Sequence, residues 1–198
     1  MAELDRDRIA AAALAVADAH GLSGFTMRAV AKALGVTPMA LYHHVEDKAA
    51  LASLVVDAAI RERPLPAPTG AWQDDLWAMA LWTRESTAAH PVVAHIRRAY
   101  GVWTSSSLQM TERWLGHWRQ SGLAPDRALT AATASSLAIV GMVEEEAIFA
   151  RLRWPGAETL SDRPDARLVF QARRDRDADF ELLVRSLIEG LHARLARS

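Results

Sequence analysis

Between Gly21 and Lys48 the chain sets two threonines, Thr26 and Thr37, each directly ahead of a short run of helix formers. Around them stand Arg28, Lys32, Tyr42, the pair His43-His44 and Lys48. These are donors to phosphate oxygens and base edges: hydroxyls, a guanidinium, ammonium groups and imidazoles, with backbone N–H groups at helix N-termini beside them. From Gly21 to Val45 there are two bases, Arg28 and Lys32, and no acid, although residues 1–50 hold six acids and five bases. The basic character is therefore local. The whole chain, with 23 Lys+Arg against 24 Asp+Glu, has no general attraction for polyanions.

Other polar clusters have weaker chemistry. His43 and His44 are adjacent, point to different helix faces and do not easily share a metal ion. Glu144, Glu145 and Glu146 fan around most of a helix, the pattern of a solvated face. The chain has no cysteine, which excludes disulfides and cysteine zinc sites. No metal and no cofactor is called for. Seven tryptophans stand at 72, 77, 82, 103, 114, 118 and 154. Trp103, Met110, Trp114 and Trp118 fall on one stripe of a helix expected near 104–121, a pattern that suits a core or the wall of an apolar pocket equally. With Trp82, Met142 and Glu145 they make the candidate ligand-binding set.

These residues need helices to position them. Gly and Pro punctuate a chain rich in helix formers, and no alternating strand pattern occurs, so the fold class is all-α. Asp5 caps a first helix that ends at His20-Gly21. Thr26 caps a second over Met27 to Leu34, stopped by Gly35. Thr37, with Pro38 in the first turn, opens a third through His44. Phe25, Val30, Ala31, Leu34, Val36, Leu41 and Val45 supply an inner face. Two short helices joined by the tight turn Leu34-Gly35-Val36-Thr37 form a helix-turn-helix pattern. Asp47 caps a connecting helix over 48–63, and the proline-rich stretch Arg63 to Gly70 is a loop. Further helices are expected at 71–89, 92–101, 104–121, 126–153, 165–173 and 177–196. In the last, Phe180, Leu183, Val184, Leu187, Ile188, Leu191 and Leu195 recur at helical spacing.

Gly24-Phe25-Thr26-Met27-Arg28-Ala29-Val30-Ala31, Leu34-Gly35-Val36-Thr37 and Leu41-Tyr42-His43-His44-Val45-Glu46-Asp47-Lys48 with Leu51 resemble the signature of the tetracycline-repressor (TetR) family. The match covers about 50 residues; the C-terminal helices are more weakly similar to the tetracycline repressor's regulatory domain. The resemblance implies a helix-turn-helix DNA-binding domain over 1–47 and a ligand-binding and dimerisation domain over 48–198. Thr26, Tyr42 and Lys48 would grip phosphates, and Arg28 a phosphate or a guanine edge. Thr37, Pro38, Met39, Ala40, His43 and His44 would face the major groove, Met39 and Ala40 against thymine methyls. It implies a cytoplasmic transcriptional regulator, a repressor by default, that is not an enzyme. Its partners would be a palindromic double-stranded operator, a small apolar or aromatic effector, and a second copy paired through helices 126–153 and 177–196. Glu145 falls where tetracycline-sensing members place a glutamate near a drug-bound magnesium. The companion histidine has no secure equivalent, since His95 is out of register, so neither tetracycline nor magnesium is carried over. Two rivals remain on sequence alone: a DNA-binding protein without a ligand, and a helical enzyme using Glu145 with His95 or His117. The charged N-terminus is no signal peptide, and no apolar run reaches the roughly 20 residues of a membrane span.

Overall fold

The computed structural model describes residues 4–149, 152–153, 155–156, 158–171 and 175–197. Trp154 and the expected helical ends at 150–151 and 172–173 lie outside the described residues. The rest form ten helices: α1 Arg6–Gly24, α2 Met27–Leu34, α3 Pro38–Tyr42, α4 Lys48–Glu62, α5 Trp72–Ala89, α6 Pro91–Tyr100, α7 Ser105–Gln120, α8 Pro125–Phe149, α9 Pro164–Gln171 and α10 Arg176–Ala196. No strand occurs among them, and none of these helices is long and apolar enough to cross a membrane.

The N-terminal helices begin where their caps dictate. Asp5 accepts from the Arg8 amide at 2.8 Å, Thr26 from Ala29 at 3.1 Å, Thr37 from Ala40 at 3.2 Å and Asp47 from Ala50 at 2.7 Å. Each side chain satisfies one of the amides that a helix start leaves unpaired. Gly35 closes α2 in the left-handed region, φ 69°, where a Cβ is strained. The first helix breaks at Gly21 as expected, φ 66°, and a further turn follows to Gly24. Two expectations change. The third helix ends at Tyr42, two residues early. Trp103 lies outside the stripe, in the link before α7, because the paired Thr104–Ser107 cap fixes the helix start at Ser105.

Packing divides the helices between two cores. Ile9, Ala13, Phe25, Val30, Leu41 and Val45 close the first, together with Leu51, Ala52, Val55 and Val56 of α4 and Ile96 of α6. Thus α4 is built into this core as well as leading out of it. The second core gathers Leu76 and Ala80 of α5, Trp118 of α7, Ala128, Ala131, Ile139 and Val143 of α8, and Phe180, Val184 and Ile188 of α10. Burying one such large side chain contributes roughly 1.5–3 kcal/mol. The loop before α5 is pinned to the first turn of that helix. The buried Asp75 carboxylate accepts from the Thr69 amide at 2.7 Å, the Thr69 hydroxyl at 2.8 Å and the Gly70 amide at 3.2 Å. Burial opposes its charge, but these hydrogen bonds outweigh burial and hold the carboxyl below its usual value. His117 Nδ1 lies 3.6 Å from Asp75 Oδ2, and burial pushes that imidazole's pKa down.

Candidate functional site

Two features stand out: an exposed polar face on α2–α4 and a cavity beneath it. On α3, Leu41 is fully buried while Thr37, Pro38, Met39, Tyr42 and His43 are exposed, Met39 by 68% and Tyr42 by 49%. His44 is also exposed, just past the helix, and Ala40 is partly so. Leu41, with Val45 after the helix, anchors this segment on the first core and turns its remaining residues outward. Arg28 is exposed on the first turn of α2, and Thr26 is half-buried at its cap. The ten residues singled out for DNA contact therefore lie on α2, α3, the residues flanking them and the start of α4, and none of them is fully buried.

Lys48 is held differently from a freely solvated lysine. Its Nζ lies 5.7 Å from the Phe25 ring centroid and 5.3 Å from that of Tyr100. The two rings themselves meet edge to face at 6.2 Å. Cation–π attraction of this kind is worth about 0.5–1 kcal/mol at an exposed site. It joins the start of α4 to the α1–α2 link and to the last residue of α6.

The cavity, about 530 Å³, lies among α4, α5, α6, α7 and α8. Trp82, Trp103, Met110 and Trp114 line it, as does Met79. Three of the residues chosen from sequence do not. Trp118 is fully buried in the second core, where its Nε1 donates to Ser135 Oγ at 3.0 Å. Met142 packs against that core, and Glu145 is exposed on the far side of α8. Glu144 lines the cavity instead. The buried face of α8 runs Ala128, Ala131, Ala132, Ser135, Ile139, Val143, so Glu144 flanks it while Glu145 turns away. Sequence reasoning also passed over Ser86 of α5, Arg97 of α6 and His90 between them, which line the cavity. Only the register of those helices against the tryptophans offered a signal.

His90, between α5 and α6, joins the two features. Its Nδ1 is 2.6 Å from Asp18 Oδ2 on α1 and its Nε2 is 2.7 Å from Glu62 Oε2 on α4. Burial opposes its charge, but these two carboxylates prevail and raise its pKa above the usual value. A second depression, about 970 Å³, lies between α5, α8 and the start of α10. Its wall carries five carboxylates, Glu85, Glu146, Asp175, Asp177 and Glu181, against Arg84 and Arg176, so it is a poor home for a flat apolar molecule. Of the residues of the helical-enzyme reading, Glu145 is exposed on α8, His95 is exposed on α6, and His117 is buried on α7 beside Asp75.

Comparison with known proteins agrees with this architecture. Residues 9–55 match the model for bacterial regulatory proteins of the tetR family, and residues 64–195 match the tetracyclin repressor-like C-terminal domain. The HTH-type transcriptional repressor DrrR1 of Streptomyces coeruleorubidus is 32% identical over 145 residues, 72% of this chain but only 54% of that repressor. The class E tetracycline repressor protein of Escherichia coli is 27% identical, covering 98% of this chain and 94% of its own. Apo ActR of Streptomyces coelicolor superposes with a TM-score of 0.78 at 27% identity, covering 100% and 99% of the two chains. The same protein in complex with actinorhodin gives 0.75 over 98% of each.

Proposed function

The chain belongs to the TetR family of bacterial regulatory proteins, and from that premise we propose that it is a ligand-released transcriptional repressor acting as a homodimer. Residues 1–47 bind a roughly palindromic operator, and residues 48–198 bind the effector and pair the two copies. The observation that carries this reading is the place of α6. Val93, Ala94 and Arg97 form cavity wall, Ile96 is buried in the first core, and Tyr100 stacks with Lys48 and Phe25. An occupant that favours one setting of α6 thereby biases the DNA-reading surface. Ligand and operator become antagonists through a shift of populations.

Exposed α3 residues fit the major groove, and Thr26, Tyr42, Lys48 and Arg28 fit phosphates or a guanine edge. One such helix offers too little surface for specific affinity, so two are needed. Support for pairing comes from α8 and α10. Leu137 is 75% exposed, Leu182 66% and Leu183 51%. A methyl group at Gly141 or Gly190 would meet no atom within 4 Å. Packing within the chain thus needs neither glycine, whereas two copies meeting along these helices gain close approach from them. Leu187, by contrast, is partly buried against its own second core. The cavity's tryptophans and methionines suit a flat, largely apolar effector, in line with the actinorhodin complex of ActR.

The test is selection of duplexes from a random library, followed by affinity for the full site and for its half. Full-site preference is expected, and an effector found by screening should release it. Equal affinity for the two would exclude the dimeric reading, and release by small charged metabolites alone would exclude the effector assignment.

A further inference from the structure

Most polar groups around the cavity are satisfied by the protein itself. Trp82 Nε1 donates to the Arg63 carbonyl at 3.2 Å, and Trp114 Nε1 to that of Ala132 at 3.0 Å. The hydroxyls of Thr83, Thr111 and Thr133 donate to the carbonyls four residues back, and both His90 nitrogens are engaged. Two atoms differ. Ser86 Oγ and Glu144 Oε1 are buried and make no hydrogen bond among the described residues. Buried polar atoms left unpaired are uncommon and call for a partner.

Both residues line the same cavity, Ser86 from α5 and Glu144 from α8. Arg98 of α6 pairs with the other oxygen of Glu144, Oε2.

We propose that Ser86 and Glu144 form the recognition end of the cavity, and that the effector is a flat, uncharged aromatic molecule bearing a hydroxyl on one edge. That hydroxyl donates to Glu144 Oε1 and accepts from Ser86 Oγ, so one group satisfies both atoms. A carboxylate or phosphate there faces the charge of Glu144. An ammonium gains little, since Arg98 already balances Glu144 and Arg97 stands in the same wall. The tryptophan and methionine surfaces then hold the ring system.

This inference rests on reading the cavity as the effector site. Calorimetric titration of the full chain with flavone and with 6-hydroxyflavone separates the two. The hydroxylated probe should bind about tenfold tighter or better, as a hydrogen bond to a charged group allows. Ser86→Ala and Glu144→Gln should each shrink that preference. Ser86→Ala should keep Tm equal or higher, because it removes an orphaned hydroxyl. Equal affinity for both probes in the native chain, or a preference that survives both substitutions, would overturn the inference and leave the cavity reading standing. If neither probe binds, the cavity reading falls and the inference with it.

Discussion

His90 Nε2 and Glu62 Oε2 lie 2.7 Å apart where α5 passes into α6, and the other nitrogen of the same ring reaches Asp18 on α1 at 2.6 Å. A single imidazole, 15% exposed, thus fastens the cavity wall to two helices of the DNA-reading core. Its charge is favoured in the folded chain, because Glu62 and Asp18 outweigh the cost of burial.

A pH dependence follows. A histidine whose folded pKa is raised adds stability that is fully present below the unfolded value of 6.5. That stability is lost as pH rises through the higher folded value. His90→Gln should therefore lower Tm most near pH 5.5–6.5, about where the imidazolium is full and the carboxylates remain charged, and least in mild alkali. His117 acts oppositely, since burial lowers its pKa and its contribution fades as pH falls, but it is common to both proteins and cancels in the difference. A native-minus-variant Tm difference that grew with pH would refute the assignment.

The proposed DNA face should separate into grip and readout. Lys48→Ala should weaken every duplex alike and lower the slope of log affinity against log salt by about one. It should also cost some stability, as the Phe25–Tyr100 pair loses its cation. Met39, 68% exposed, has no packing role to lose. Met39→Ala should keep Tm and alter preference at one base pair by about tenfold, the scale of a single base contact. Selected-site sequencing and salt titration of both variants decide this. If Met39→Ala weakened all sites equally, the division would be wrong.

How far the sequence carried depends on how local each signal is. Thr26, Thr37 and Asp47 act on amides three residues ahead, and Gly35 acts on its own φ, so the DNA-reading helices were legible to within a residue or two. The cavity is a tertiary object. Trp118 and Trp114 share a stripe, yet one is sealed on Ser135 and the other faces the void, and nothing local separates them. The choice between Glu144 and Glu145 is one step, about 100°, of α8 rotation, fixed by which small residues meet α5 and α10. His90 escaped notice because its partners lie 72 and 28 residues away.

Pairing of two copies is probed best where the single chain has nothing to lose. Leu183 is half exposed on α10, so Leu183→Arg should leave the fold and its Tm intact. Burying the unpaired guanidinium in a helix seam costs several kcal/mol, enough to dissociate a dimer of ordinary affinity. Sedimentation should show monomer, and operator affinity should fall toward that of a half-site. A variant that remains dimeric would exclude this face of α10. Leu187→Arg is a poorer probe, since it strikes the second core as well.

Trp103 gives the sharpest test of the cavity, because it lines the void without supporting the fold. It is 64% exposed, precedes α7, and stacks under the Arg97 guanidinium at 5.8 Å. Trp114 also lines the void, but its indole donates to Ala132 and Ser135 and so ties α7 to α8. Trp103→Ala should therefore reduce effector affinity about tenfold, as loss of one stacked aromatic wall allows, with Tm and ligand-free operator affinity unchanged. Trp114→Ala should reduce effector affinity and Tm together. In the native protein, saturating effector must lower operator affinity by the same factor by which operator lowers effector affinity. Taking an operator from about 99% to about 1% occupancy requires a factor near 10⁴, about 5.5 kcal/mol. The measurement is a paired titration, operator with and without effector and effector with and without operator, on the native chain and on Trp103→Ala. Unequal factors in the native chain would break the linkage between cavity and DNA face. An unchanged effector affinity in Trp103→Ala would place the effector somewhere other than this cavity.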